Sequence, residues 1–372
     1  MRCAPLFVLM AMLAPQRVLA SPDPPEAGRR VLSPDPPTSK SAAPIVHASV
    51  REGVGVSSHD QRFALRLGMI LVTRAGVDER ATPFAKVHLT RVLISGHVWG
   101  PRVRYFLGVE LTREPYLRDL ELTLAWRPEL QLRVGRARTP FSRQFLTSRA
   151  QLQFTDRSFV SDFFRAGRGT GLALDGQPFA GRMEYRVGVY DDASGIVPSQ
   201  ALVAAARVAY NPLGAFALDE TTARHEGEAR VAIGVNAYTT TSSRDPGDEP
   251  NETPTERSAV GVDLALRAGG LNVAAEAYVD RRRIAGAADR IGVGGFAQAG
   301  VFLVPTRFEL AARVGRLARD LSTDHAWRVE LGASYYLHEV GLKLQAGYGY
   351  AHASATALLT GHNAQLQAVL AF

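Results

Sequence analysis

From Arg62 to the end of the chain, apolar and polar residues alternate in segments of strand length, and the polar face of nearly every segment carries charge. Phe63, Leu65, Leu67, Met69 and Leu71 stand opposite Arg62, Arg66 and Gly68; Val103, Tyr105, Leu107, Val109 and Leu111 stand opposite Arg102, Arg104, Glu110 and Thr112. Leu120, Leu122, Leu124 and Trp126 oppose Asp119, Glu121 and Thr123, and the same division recurs around Met183–Val189 and Trp327–Tyr335. A period of two is the signature of strands, and the spacing gives about sixteen of them, each near the ~10 residues of a membrane-crossing strand. Faces this charged cannot fill a small dry core, so they imply a wet lumen. The apolar faces then look outward to lipid, with Tyr105, Trp126, Tyr210, Tyr335, Tyr348 and Tyr350 near their ends, where interfacial girdles sit. Only a closed barrel pairs every backbone group of such strands in a bilayer. The expected fold is an all-β, transmembrane antiparallel barrel over residues 62–372.

The termini fit this reading. Met1 and Arg2, the apolar run Leu6–Leu13 and the small residue Ala20 have the layout of a secretory signal peptide over residues 1–20. The run is shorter than the ~20 residues of a spanning helix. Cys3, the one cysteine, precedes it and would leave with it, and without Arg2 and Arg17 the formal charge of +7 falls but stays positive. Residues 21–61 read as a Pro-rich, solvated leader, in which SPDPP occurs at Ser21–Pro25 and again at Ser33–Pro37. At the far end Ala364, Leu366, Ala368, Leu370 and Phe372 share one face, with Asn363, Gln365 and Gln367 on the other. A last strand of this kind pairs with the first in a closed barrel. Its terminal Phe372 resembles the signal by which outer-membrane barrels engage the barrel-assembly machinery.

Connections alternate in length. Tight turns at 127–129, 268–270, 304–306 and 337–339 alternate with longer polar links at 241–256, 317–325 and 351–361. Short turns on one side and long loops on the other place both termini in the periplasm. The link 211–227 is too long for its side and is expected to hold an extra hairpin or an uncounted strand pair. The longest link, 139–167, follows the fifth strand and is rich in Phe and Arg. Phe141, Phe145, Phe154, Phe159, Phe163 and Phe164 need a surface to pack on, and Arg143, Arg149, Arg157 and Arg165 need water or anions. Folding the loop into the lumen serves both. Arginine keeps its charge and offers a flat fork of donors to oxyanions, and Asp156 and Asp162 are the loop's sole acids. The expected anion-contacting constriction is therefore Arg143, Arg149, Arg157, Arg165 and Arg168, with Arg66, Arg102, Arg104 and Arg133 on the lumen wall, some of them paired with neighbouring acids. A surface poor in bulky residues around Ala201, Ala205 and Ala209 marks a possible subunit contact.

The segments Leu132–Phe141, Phe154–Val160, Arg168–Gly176 and Glu184–Asp192 resemble the phosphate-selective porin O and P family. That resemblance implies a trimeric outer-membrane porin with a basic anion pathway, narrowed by the loop after strand five. The chain departs from the family's use of lysine, having Lys40, Lys86 and Lys343 alone, with Lys40 outside the barrel. The expected partners are small anions such as phosphate, outer-membrane lipid and two further copies of the chain. Other classes fit poorly. The nine histidines are scattered, with no Ser–His or Asp–His constellation and no metal-ligand spacing, so neither catalysis nor a metal or cofactor is expected. Gly167–Gly171 lacks the helix and the Lys-Ser/Thr ending of a phosphate loop. Arginines that alternate into a lumen of a secreted protein leave no route to nucleic acid. A non-selective or organic-solute pore and a structural barrel tethering the envelope are the alternatives, and conductance separates them.

Overall fold

A computed structural model describes residues 43–49, 53–112, 114–191, 202–221, 229–240, 255–284, 287–321, 324–354 and 360–372. The signal peptide and the leader up to Ala42 lie outside the described residues, as do Ala201, most of the link 241–256 and residues 355–359 of the link 351–361.

Sixteen antiparallel strands close on themselves. The first eight are β3 (Ala64–Val77), β4 (Pro83–His97), β5 (Val103–Glu110), β6 (Tyr116–Arg127), β7 (Leu130–Arg138), β8 (Arg168–Gly176), β9 (Met183–Asp191) and β10 (Leu202–Tyr210). The second eight are β11 (Arg230–Thr240), β12 (Thr255–Ala268), β13 (Leu271–Ile284), β14 (Arg290–Val304), β15 (Phe308–Asp320), β16 (Asp324–His338), β17 (Leu342–Ala353) and β18 (Gly361–Ala371). Each pairs with its neighbour in sequence, and β18 pairs with β3 from Ala364↔Val77 to Ala371↔Ile70. The amide of Met69 donates to the Phe372 carbonyl at 3.0 Å and the Phe372 amide donates back to Met69 at 3.1 Å. The terminal residue therefore sits inside the seam, which leaves no edge to blunt between β18 and the part of β3 it pairs with.

Alternation holds around the ring. Leu264, Val279, Val293, Val314, Leu331 and Leu366 are exposed on the outer face, while Asp263, Glu276, Gln298, Arg313, Ser334 and Gln367 are buried on the inner one. A belt of branched and aromatic side chains against lipid and a polar interior is the pattern of membrane barrels. Connections follow the expected lengths, for example the two-residue turn Gly269-Gly270, whose φ values of 55° and 88° suit glycine in a tight hairpin.

Two expectations change. The leader is not unpaired throughout: β1 (Ile45–Ser49) and β2 (Gly53–Ser57) pair with each other, and β2 pairs with the start of β3 from Val54↔Leu67 to Ser57↔Ala64. Nor does the described part of the long link after β10, residues 211–221, form a hairpin. It turns into the barrel, and the ring stays at sixteen strands. Ala205 and Ala209 also face inward and are buried, so they make no outer contact surface.

Candidate functional site, a lumen narrowed by an inserted loop

The loop between β7 and β8 crosses the lumen as three short helical turns: α1 (Arg143–Leu146), a 3-10 turn (Arg149–Gln151) and α2 (Phe159–Phe164). Serine caps start two of them, as such side chains do. Ser142 accepts from the Phe145 amide at 3.1 Å and Ser158 from the Val160 amide at 3.3 Å. The aromatic residues anchor it as expected. Phe141, Phe145, Phe154 and Phe164 are buried, and Phe159 and Phe163 pack in part against the cluster that holds Phe141 and Phe164. Phe164 stacks on Tyr278 at 5.1 Å and Phe141 meets Tyr238 edge-on at 4.8 Å. The small inward residues Ala205 and Ala259 make room for this cluster.

Polar wall residues fix the loop's height. Glu276 accepts from the Arg143 amide at 3.1 Å and the Gln144 amide at 2.6 Å, where the first turn of α1 has free N–H groups. Gln153 donates to Glu309 at 2.7 Å, and the fully buried Lys343 donates to the Leu152 carbonyl at 2.7 Å. Lys343 thus serves as a tether. Glycines on the inner wall leave space for the loop: a Cβ at Gly294 would lie 2.8 Å from the Phe164 ring, and one at Gly300 would lie 2.1 Å from Gln153 Nε2.

The arginines of the expected constriction divide into two groups. Arg143 and Arg157 are buried within the loop's support and do not line open space. Arg143 donates to the Ala217 carbonyl at 2.6 Å, and Arg157 donates to the carbonyls of Gln144 at 3.0 Å and Thr147 at 2.5 Å. Neither segment's carbonyls could be buried without such donors. The other three are more accessible or face shared acids. Arg149 contacts Asp156 at 3.0 Å, Arg168 contacts Asp119 at 2.8 Å, and Arg165 lies 3.7 Å from Asp162 with its side chain 40% exposed. Burial favours the neutral form of Asp156, but Arg74 and Arg149 outweigh it and hold this carboxyl below the usual carboxylate range.

Among the wall candidates, Arg133 is paired with Asp175 at 2.6 Å and Glu121 at 3.1 Å, and Arg104 donates to Gln131. Arg66 lies on β3 at the end that carries Phe372. Arg102 stands in the turn after β4 and does not belong to the wall.

Several lumen side chains were not anticipated. Beta-bulges place two of them: His88 and Arg118 are the extra residues between Leu89 and Val87 and between Asp119 and Leu117. A bulge re-aims a side chain. His88 thereby lies 3.2 Å from Arg149, and Arg118 reaches Glu110 and Asp119 at 3.7 and 3.8 Å. Arg74, Arg91, Arg138 and Arg186 complete the basic side of the lumen.

Charge is unevenly divided across the lumen. On the β3–β9 side one acid commonly serves two arginines. Glu110 lies against Arg91 (2.9 Å) and Arg118, Asp119 against Arg168 and Arg118, and Asp175 against Arg133 and Arg186 (3.9 Å). On the opposite side Asp280 is shared by Arg257 (2.7 Å) and Arg282 (3.6 Å), but Arg207 has Asp263 to itself at 2.7 Å and Arg313 has Glu330 at 2.6 Å, while Glu276 and Glu309 are held mainly by amides and hydroxyls. Among the described residues no group of three or more His, Cys, Asp or Glu comes together to hold a metal ion.

A closed barrel with an apolar outer belt, a charged lumen and a loop folded across it defines an outer-membrane diffusion channel of the porin class. The family model of the phosphate-selective porins O and P matches residues 104–372, and the chain belongs to that family. Among solved structures the fold is similar to a loop-deletion variant of OmpT from Vibrio cholerae (TM-score 0.64, 12% identity, 84% of this chain and 100% of that one). It is also similar to the anion-selective porin of Comamonas acidovorans (TM-score 0.63, 13% identity, 83% and 100%). The trimer form of Vibrio cholerae OmpT matches with TM-score 0.62 and 11% identity over 83% and 99% of the two chains. No curated protein sequence matches.

Proposed function

We propose that this porin is an anion-preferring, water-filled channel for passive diffusion of small solutes, oxyanions such as phosphate among them. The observation that carries the reading is the sharing of acids between arginines on the β3–β9 side. Buried nitrogens of Arg91, Arg118, Arg168 and Arg186 there have no hydrogen-bond partner among the described residues. Surplus guanidinium charge between low-dielectric walls attracts anions and repels cations. Arg149, Arg165 and Arg168 are the loop-side contacts in this scheme, with Arg133 on the wall, whereas Arg143 and Arg157 act by keeping the loop in place. The phosphate selectivity in the family's description would rest here on arginine, since Lys343 is spent on the Leu152 carbonyl. The similar porin from Comamonas acidovorans is described as anion-selective, which makes the same preference the first property to measure. Assembly as a trimer, like the trimer form of OmpT, and periplasmic termini belong to the same proposal.

Planar-bilayer recordings across a salt gradient test it. The reversal potential is expected on the anion side, and added phosphate should reduce chloride current. A cation-side potential would end the anion reading, and absence of any conductance would favour a structural barrel.

A further inference from the structure

The strongest unassigned feature is the link after β10. Its described part, residues 211–221, leaves the barrel end that carries Phe372 and reaches the constriction loop from that side. Phe216 is buried on Ala232 and Ala265, between the guanidinium groups of Arg143 (4.6 Å) and Arg267 (4.4 Å). The Ala217 carbonyl accepts from Arg143 at 2.6 Å, and Arg267 donates to Asp219. Glu220 then bonds the loop twice: it accepts from the Gln153 amide at 2.9 Å and from the Gln144 side chain at 2.5 Å. The Glu220 amide donates to the Gln151 carbonyl at 3.2 Å. Thr221 joins the wall, donating to Glu309 at 2.9 Å and accepting from Tyr336 at 3.1 Å.

The geometry points to the link as a second constriction element, with Glu220 a positioning residue for the pore: it holds the inserted loop from the end opposite the loop's own attachment. The loop's contacts with the wall include those from Glu276, Glu309, Lys343, Arg74 and Arg313. Glu220 supplies the one carboxylate that arrives from outside the wall, and it bridges α1 to the segment after the 3-10 turn through Gln144 and Gln153. Without it the Gln153 amide would be left as a buried, unpaired donor and the Gln144 side chain would keep only Gln298 at 3.2 Å, a costly state. The loop would relieve that state by moving. The link also brings Asp219 and Glu220 to the β10–β18 side of the lumen, away from the arginine surplus on the opposite side. The inference requires the channel but not its charge preference.

The experiment compares wild type with Glu220→Ala and Phe216→Ala in planar bilayers, with amide hydrogen exchange of residues 141–160 on the folded, purified protein. Both variants are expected to show larger single-channel conductance with more open-channel noise. Exchange in the loop should quicken about tenfold or more, as loss of a hydrogen bond to a charged group implies, while exchange in the strands stays unchanged. Glu220→Gln, which keeps one acceptor, should fall between. If conductance, noise and loop exchange all match wild type, the link is mere filling and the proposal is wrong. If a single substitution prevents folding, deletion of residues 213–218 offers the same comparison, and unchanged loop exchange in that folded variant would also overturn it. A shift in reversal potential without a change in conductance or exchange would likewise count against a positioning role.

Discussion

At the scale of single residues, two arginines with the same charge do different work because their burial differs. Arg157 is 4% exposed and satisfies two loop carbonyls, whereas the Arg165 side chain is 40% exposed and loosely paired. Arg157→Gln should loosen the loop at a cost of about 1.5–3 kcal/mol, the range for a hydrogen bond to a charged group. Single-channel noise and protease sensitivity of the loop would register it. Arg165→Gln should leave both unaltered and lower anion preference slightly, as reversal potential would show. A second residue-level prediction concerns pH. The folded carboxyl of Asp156 is held below its unfolded value of about 3.9, so its pairing with Arg74 and Arg149 stabilises the loop above that value and is lost as pH falls through the folded one. This anchor should therefore persist at pH 5, and loosening near pH 5 that Asp156→Asn abolishes would show the carboxyl titrating there instead. The sequence displayed which arginines exist, but not that Arg143 and Arg157 would turn into the protein. That depended on which carbonyls the loop buried. His88 and Arg118 were hidden for another reason, since a bulge changes the parity on which alternation is read.

At the scale of elements, the loop docks because the wall was made shallow beneath it. Gly300→Val would set a side chain where Gln153 lies against Glu309. The barrel should still form, since the position faces the lumen, and the loop should be displaced, visible as raised conductance in a protein that remains heat-modifiable on a gel. The last strand makes a separate prediction. Removing Phe372 deletes both backbone hydrogen bonds with Met69 at the seam, so the folded fraction after refolding into detergent should drop while any folded barrels conduct normally. The strands and the tight turns were legible from alternation and Gly-Gly or Pro-containing breaks. The hairpin of β1 and β2 was not, because short Gly-Val alternation beside a Pro-rich stretch carries no sign that β3 would extend past β18 and offer it an edge.

At the scale of the whole molecule, the lumen is polarised, with guanidinium surplus along β3–β9 and a closer balance of acid and base along β10–β18 and the link. Neutralising Arg118 and Arg149 together should cut anion preference more than neutralising Arg207, whose charge Asp263 already balances. Reversal potentials at two salt concentrations would check this. The preference should also shrink as salt shortens the Debye length from about 10 Å at 0.1 M towards about 3 Å at 1 M.

The sequence by itself determined that the chain closes into a barrel with a wet, basic interior and an inserted Phe-rich loop. Those properties are periodic and local, and each strand declares its two faces without reference to any other. Tertiary structure alone decided which arginines hold the loop and which share an acid, and it brought Glu220 from a connection on one side to the underside of a loop entering from the other. Such pairings join residues 74 to 156 positions apart, and they are set by how the loops fill one closed volume, which no local pattern records.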